Sequence, residues 1–113
     1  MEKAYEIGSD NLILDGHTQD VRNIIVDVSG KTADGTLKRG QVIDLKDNTY
    51  QEHDEAGDVN CIIAKNVEYK STDSSVVVPC YITGSFRKSE LSTAVELTDT
   101  DVERFRELGI ILG

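Results

Sequence analysis

The stretch Cys61–Phe86 reads CIIAKNVEYKSTDSSVVVPCYITGSF and contains the two longest strand-like runs of the chain. The runs Cys61–Tyr69 and Ser75–Phe86 are rich in β-branched and aromatic residues, and a polar break separates them. This pattern predicts two strands that pair with each other. Pro79 has no N–H for a β-ladder, so its strand is expected to be an edge or to bulge there. The stretch predicts a mainly β fold.

Upstream of this stretch the sequence predicts two further strands. Val21–Val28 reads VRNIIVDV, and Gly40–Leu45 reads GQVIDL. The turn residues Lys46-Asp47-Asn48 follow, and Thr49–Gln51 is expected to be the short return of a hairpin. The polar segment Glu52–Asn60 reads EHDEAGDVN and is predicted to be a loop.

One segment predicts a helix. Thr100–Leu108 reads TDVERFREL, with Thr100 as the expected N-cap and Glu103 completing a capping box. Gly109 is a natural C-cap. The following residues Ile110–Leu112 are expected to form a last buried strand.

The first 16 residues differ from the rest of the chain in their pattern of apolar residues. At 113 residues the chain is long enough for one domain. Residues 1–16, MEKAYEIGSDNLILDG, contain isolated apolar residues and end in a turn signal, so they predict an extended N-terminal arm that orders only on a partner. Residues 17–113 are predicted to be a single β-rich domain.

Composition argues against several function classes. The net charge of -9 repels phosphate backbones, so no nucleic acid is expected as a partner. No apolar run has the roughly 18 residues of a transmembrane helix, and the N-terminus lacks a signal-peptide pattern, so we expect synthesis in a cytoplasm without membrane contact. Cys61 and Cys80 form no zinc or disulfide motif and are expected to be buried hydrophobic residues.

The sequence offers little catalytic chemistry. His17 and His53 lie in polar, turn-rich contexts without a motif and are expected to be exposed. The acidic residues of the Glu52–Asn60 segment do not have the spacing of an EF-hand loop. Asp99 and Asp101 are explained by their position at a helix start. We therefore expect no enzyme activity, no cofactor, no metal and no small-molecule substrate.

Four segments in fixed order resemble the lambda-type head decoration proteins of tailed bacteriophages. The first is SDNLILDG at residues 9–16. The second is GTLKRGQVIDL at residues 35–45, similar to the family's LxRGTVL strand. The third is CIIAKNVE at residues 61–68, and the fourth is VVPCYITGSFRKSEL at residues 77–91, followed by the helix and the final LGIIL.

This resemblance implies a small bent-ribbon, β-clip-like domain with one short C-terminal helix and an extended N-terminal arm. It implies a homotrimer that binds the major capsid protein on the exterior of the expanded mature head, assembled in the bacterial host cytoplasm and located in the virion. The arm would add as a strand to a sheet edge of the coat protein. Its capsid-binding residues would be Tyr5, Ile7, Asn11, Leu12, Ile13 and Leu14.

Two other interpretations remain open at this point. Composition and strand pattern also fit a small host β-barrel that acts as a binding or chaperone-like module. That module would be indifferent to capsids. An enzyme that uses Cys61 or Cys80 as its nucleophile is a third interpretation, and a low thiol pKa would favour it.

Overall fold

The computed structural model describes residues 12–14, 19–54, 57–93 and 95–113. The domain is mainly β with one short C-terminal helix, as the sequence predicts. A 3-10 turn at Lys88–Glu90 precedes the α-helix. The strands and the helix are β1 (Val21–Asp27), β2 (Gly35–Leu37), β3 (Val42–Lys46), β4 (Thr49–Glu52), β5 (Asp58–Ile63), β6 (Val67–Tyr69), β7 (Ser75–Tyr81), β8 (Gly84–Phe86), α1 (Asp99–Leu108) and β9 (Ile110–Leu112).

Five strands close into a barrel in the order β1-β4-β3-β5-β7. Strand β7 pairs with β1 in an antiparallel ladder from Val21↔Tyr81 to Asp27↔Ser75, which returns β7 to the first strand and closes the sheet. The predicted β3–β4 hairpin is confirmed, and Asp47 and Asn48 adopt the positive φ angles of its turn. The strand pattern was compatible with a barrel, but it did not indicate which strands close the sheet.

The two long runs of the Cys61–Phe86 stretch do pair, but over a short distance. Strands β5 and β7 meet only at Ile62↔Tyr81 and Ile63↔Cys80. Pro79 lies next to that contact, opposite Asn23 of β1, and its carbonyl accepts a hydrogen bond from the Ala64 amide at 2.8 Å. The prediction that this strand is an edge or bulges at Pro79 is wrong, because β7 lies between β1 and β5 in the closed barrel and its register with β1 is regular from Ser75 to Tyr81.

Three predicted segment boundaries are wrong. The run Cys61–Tyr69 is interrupted after Ile63, and its last residues form β6, which pairs with β2 in a separate ribbon. The run Ser75–Phe86 breaks after Tyr81, and β8 pairs with β9 in parallel. The predicted loop Glu52–Asn60 ends early, because Asp58 already begins β5. In each case a long-range pairing, which local pattern does not encode, decides the boundary.

The helix begins two residues earlier than predicted. Thr98, not Thr100, is the N-cap: its hydroxyl accepts a hydrogen bond from the Asp101 amide at 3.1 Å, and the Asp101 carboxylate accepts one from the Thr98 amide at 3.0 Å. Both Thr98 and Thr100 are followed three residues later by an acidic residue, so the sequence alone does not distinguish them. Gly109 is the C-cap, as predicted, with a left-handed φ of 96°.

The sheet is buried on both of its faces over part of its width. Its inner face forms the barrel cluster, made of Ile24, Val26, Val28, Leu37, Ile43, Cys61, Ile63, Val78 and Cys80. Its outer face meets α1, β8 and β9 in the terminal cluster, made of Leu12, Val42, Val59, Ile62, Tyr81, Phe86, Leu97, Phe105 and Ile110. Adjacent residues of one strand, such as Val42 and Ile43, therefore enter different clusters, as alternation along a strand requires.

No helix among the described residues is long and apolar enough to cross a membrane.

Candidate functional site

The described part of the predicted N-terminal arm lies along β8. The Leu14 amide donates to the Ser85 carbonyl at 2.9 Å, and the Arg87 amide donates to the Leu12 carbonyl at 2.8 Å. Ile13 forms an antiparallel bridge with Phe86, and the Arg87 guanidinium donates to the Ile13 carbonyl. Residues 12–14 therefore extend the small β8–β9 sheet by one short segment.

The three described arm residues have different environments. Leu12 is only 2% exposed and belongs to the terminal cluster, Ile13 packs against that cluster, and Leu14 is 37% exposed. The expectation that the whole arm orders only on a partner is therefore wrong for Leu12, because the domain itself buries this side chain. The other predicted capsid-binding residues, Tyr5, Ile7 and Asn11, lie outside the described residues, as does the predicted boundary at residues 16 and 17. A role in capsid binding stays a prediction for all six.

Leu14 contributes to an exposed apolar surface that we name the terminal patch, formed by Leu14 and Ile111. Ser85 connects them, because it accepts from the Leu14 amide and pairs with Ile111 in the β8–β9 ladder. Ile111 is 44% exposed, although β9 was predicted to be buried. The terminal patch thus joins the described start of the chain to its last strand.

A second apolar surface, which we name the barrel patch, consists of Val21, Ile25 and Val77. Ile25 and Val77 are direct cross-strand partners on β1 and β7 and are 63% and 56% exposed. The alternation in VRNIIVDV fits this arrangement, because Ile24 and Val26 point into the barrel while Val21 and Ile25 point outward. The sequence did not reveal this surface, since a strand buried on both faces would have the same composition.

The large hydrophobic side chains exposed among the described residues all fall in these two patches. A chain with a net charge of -9 otherwise presents a polar, acidic surface. Single exposed apolar residues need no explanation, but residues gathered on paired strands are typical of contact surfaces.

The motif residues Arg39 and Gly40 hold strands together rather than lining either patch. The Arg39 guanidinium donates to the Ala64 carbonyl at 2.9 Å and to the Tyr81 hydroxyl at 2.6 Å, which ties the end of β5 to β7. Gly40 has a left-handed φ of 93°, and a Cβ there would lie 3.2 Å from the Glu90 carbonyl. Arg39 and Gly40, two of the residues at 35–45 that resemble the family motif, therefore have structural roles.

A polar cluster, which contains His53 and Asp44, lies under the N-terminus of α1. The prediction that His53 is exposed is therefore wrong. His53 and Asp44 are both buried, and Nδ1 of His53 lies 2.7 Å from Oδ1 of Asp44. The other Asp44 oxygen accepts a hydrogen bond from the Asp54 amide at 3.0 Å. Burial raises the pKa of Asp44 above its usual value, and the hydrogen bonds from Asp54 and His53 oppose that shift. His17 lies outside the described residues.

The buried cysteines do not have the properties of a nucleophile. Cys61 and Cys80 are free and fully buried in the barrel cluster. The neighbouring Cys80 side chain and desolvation raise the pKa of the Cys61 thiol above its usual value. A thiol must ionise to attack a substrate, so neither the burial nor the direction of this shift favours the cysteine enzyme interpretation.

Two acidic residues of the Glu52–Asn60 segment have structural partners. Glu52 pairs with Lys31 and accepts a hydrogen bond from the side-chain amide of Gln41, and Asp54 accepts one from the backbone amide of Gly57. Within the described residues, no group of three or more His, Cys, Asp or Glu side chains has an arrangement that could hold a metal ion. Asp101 caps the helix, as expected from its position.

No model of a known protein family matches the chain. No curated protein matches its sequence significantly.

Proposed function

We propose that the protein is a bacteriophage capsid decoration protein that binds the exterior of the expanded mature head as a trimer and stabilises the shell against packaged DNA. The observation that carries the proposal is the presence of two separate apolar patches on an otherwise polar, acidic domain. A closed three-fold ring joins unlike surfaces of neighbouring subunits, and attachment to a shell requires a further contact surface. A small protein that makes both contacts needs more than one exposed apolar region.

The terminal patch is the better candidate for the capsid contact. Leu14 lies in the segment that β8 already holds in strand-like hydrogen bonding, and residues 1–11 connect to the domain at this edge. Tyr5, Ile7 and Asn11 of that segment would complete the contact. Leu12, which is buried in the terminal cluster, would attach the segment to the domain. An extended segment can add as a strand to a sheet edge of the coat protein.

The barrel patch is the better candidate for the contact between subunits. Ile25 and Val77 lie on a continuous β-ladder and project from the same face. Rigid strands present their side chains at fixed positions, which suits a permanent contact between identical subunits.

The mechanism requires no chemistry on the capsid. A ligand that binds only the expanded lattice stabilises it by mass action, by about 3 kcal/mol per site when free protein stands at roughly 100 times its dissociation constant. Trimeric attachment adds avidity. An acidic surface does not interfere, because the protein would stay outside the shell and never meet the genome.

The direct test mixes the purified protein with expanded and unexpanded shells and measures the bound copies after sedimentation. Saturable binding to expanded shells alone is the expected result. Absence of binding to either kind of shell would overturn the proposal.

Variants separate the two contacts. A chain that lacks residues 1–11 keeps Leu12 in the core, so it should fold normally and lose shell binding; deletion of residues 1–14 would instead remove a core residue. Ile25→Asp should weaken the trimer in analytical ultracentrifugation. Thr32→Asp, an equal charge change at an exposed loop residue, is the matched control and should alter neither property.

A host β-barrel that acts as a binding or chaperone-like module is the second candidate, and the closed five-stranded barrel favours it. Such a module would bind neither kind of shell, and it would have no need of trimer formation. The sedimentation test therefore discriminates directly between the two candidates.

A further inference from the structure

One edge of β1 has no neighbouring strand over most of its length. Just after β1, the Val28 amide donates to the carbonyl of Ser74, which precedes β7, at 3.0 Å. Bonded pairs recur at every second residue of an antiparallel ladder, so the even-numbered residues of β1 bond to β7. The backbone groups of Val21 and Asn23 therefore point away from β7. On that side, β4 pairs with β1 at a single described residue, Val26. We name the unpaired backbone from Val21 to Asn23 the β1 edge.

The β1 edge lacks the features that commonly protect an exposed edge. The segment Val21–Ile25 contains no lysine and no proline, and its register with β7 shows no bulge. Val21 and Ile25 are exposed and lie on the outer face next to the edge. Unpaired backbone beside apolar side chains is the arrangement that binds an extended segment as an added strand.

The charge at the β1 edge indicates what kind of segment fits. Arg22 is exposed, and its guanidinium forms no hydrogen bond or ion pair with the residues that the structure describes. Alternation along the strand directs Arg22 to the face opposite Val21 and Asn23. A fitting segment therefore carries apolar residues on one face and a carboxylate on the other, at strand spacing.

The sequence that precedes the described residues contains such a segment. Residues 3–7 read KAYEI, so an extended strand would place Tyr5 and Ile7 on one face and Glu6 on the other. With Tyr5 and Ile7 on the outer face, Glu6 would lie on the same side as Arg22. Residues 3–7 thus supply the alternation and the charge that the β1 edge requires.

The attachment of the arm brings this segment within reach. The chain joins the domain at Leu12, which is buried in the terminal cluster together with Tyr81. Tyr81 is the cross-strand partner of Val21, at the start of the β1 edge. Eleven extended residues span up to about 36 Å, and the largest extent of the protein is 38 Å. Residues 3–7 can therefore reach the β1 edge of their own molecule.

We infer that residues 3–7 add to the β1 edge of their own molecule as an antiparallel strand. The direction follows from the attachment, because the arm starts at the Val21 end and runs back along β1. The register pairs Ile7 with Val21, which places Glu6 opposite Arg22. A segment attached in this way has an effective concentration on the order of millimolar, so it binds the edge in preference to a dilute partner.

The contact belongs to the free protein and does not depend on the capsid proposal. Tyr5 and Ile7 extend the outer face beside Ile25, so the added strand enlarges the barrel patch. The consequence for shell binding does rest on the proposed function, because the coat protein and the β1 edge would compete for Tyr5 and Ile7. The shell must then displace the arm from the β1 edge before it can bind it.

The experiment measures amide hydrogen exchange by NMR in the full chain, without shells. The Asn23 amide points to the β1 edge, whereas the amides of Arg22 and Ile24 bond to β7 and serve as internal controls. Removal of residues 1–11 should speed exchange at Asn23 about tenfold or more and leave both control amides unchanged. Equal exchange at Asn23 in the two chains would overturn the inference.

A substitution within the full chain makes the same test without shortening it. Ile7→Asp places a charge against Val21 and should expose the Asn23 amide as strongly as the deletion does. Ser9→Asp makes the same addition of charge outside the paired segment, and it should leave exchange at Asn23 unchanged. An equal effect of the two variants would show that only the charge of the arm matters, and the inference would then be wrong.

Charge reversal tests the register. Arg22→Glu should lower the protection factor of the Asn23 amide about two- to fivefold, as expected for like charges that face each other on adjacent strands. Glu6→Arg in the same chain should restore the protection. Failure of the second substitution to restore it would contradict the pairing.

Dilution identifies the occupant of the β1 edge. Protection of the Asn23 amide should not change as the protein is diluted, since the contact lies within one molecule. Protection that falls on dilution would assign the edge to a second copy and overturn the inference. Absence of shell binding in the sedimentation test would count against the capsid proposal alone.

Discussion

The two sides of the barrel's outer face differ in what covers them. Over β3 and β5, side chains such as Val42 and Ile62 pack beneath α1, β8, β9 and the start of the described chain in the terminal cluster. Over β1 and β7, Ile25 and Val77 are exposed. The same alternation of apolar residues along a strand therefore gives a core on one side and a contact surface on the other.

The difference shows how the chain ends contribute to the fold. The barrel cluster uses residues from Ile24 to Cys80, so the middle of the chain builds it alone. The terminal cluster joins Leu12 to Phe105 and Ile110 from the other end of the chain. The covered side therefore depends on contacts between residues that are distant in sequence, whereas the barrel patch keeps its apolar side chains available for a partner.

The largest expected effect distinguishes a covered from an exposed aliphatic residue. Leu12→Ala should lower the free energy of unfolding by about 2 to 5 kcal/mol, because it leaves a cavity in the terminal cluster. Ile25→Ala, a truncation of similar size on the barrel patch, should change it by no more than about 0.5 kcal/mol. Urea denaturation of the two variants measures both values. Similar losses of unfolding free energy for Leu12→Ala and Ile25→Ala would show that the covered side and the exposed side do not differ in burial.

A smaller effect is expected where the polar cluster packs under the covered side. A Cβ at Gly57 would lie 2.8 Å from the Cβ of Asp44, so Gly57→Ala must displace a buried carboxylate and should cost about 1 to 3 kcal/mol. Gly30→Ala is the control, since a Cβ there meets no atom within 4 Å. It should be neutral or stabilising by up to about 1 kcal/mol. Thermal unfolding of both variants tests the contrast, and an unaffected Gly57→Ala protein would contradict the described packing.

Local pattern predicted the parts of the fold that local interactions determine. Strand β1, the β3–β4 hairpin and the Gly109 cap all follow from residues that are neighbours in sequence. The closure of β7 onto β1 does not, because it joins residues that are 48 to 60 positions apart, from Asp27↔Ser75 to Val21↔Tyr81. The mainly β class with one short helix could therefore be predicted, but the pair of strands that closes the barrel could not.

The candidate sites were harder to predict than the fold. Leu12 and Leu14 look alike in the sequence, yet one is a core residue and the other is exposed, because their environment comes from β8 and β9. His53 lies in a polar stretch that predicts exposure, yet the structure buries it between Asp44 of β3 and Asp101 in the first turn of α1. A signal was nevertheless present: Asp44 stands in the apolar run GQVIDL, and a carboxylate buried there requires hydrogen-bond donors.

The smallest expected effect concerns the helix that covers the barrel, and it decides between the two candidate caps. Thr98→Ala removes the hydroxyl that accepts from the Asp101 amide, so it should lower the free energy of unfolding by about 1 kcal/mol. Thr100→Ala lies inside the helix on an exposed position, and it should be neutral or slightly stabilising because alanine has the higher helix propensity. Urea denaturation at pH 7 compares the two. A larger loss for Thr100→Ala would restore the boundary that the sequence predicted and would move the start of α1 away from Asp101. Because Asp101 is also the carboxylate that faces His53, the same pair of variants tests whether this first turn is held where the polar cluster requires it.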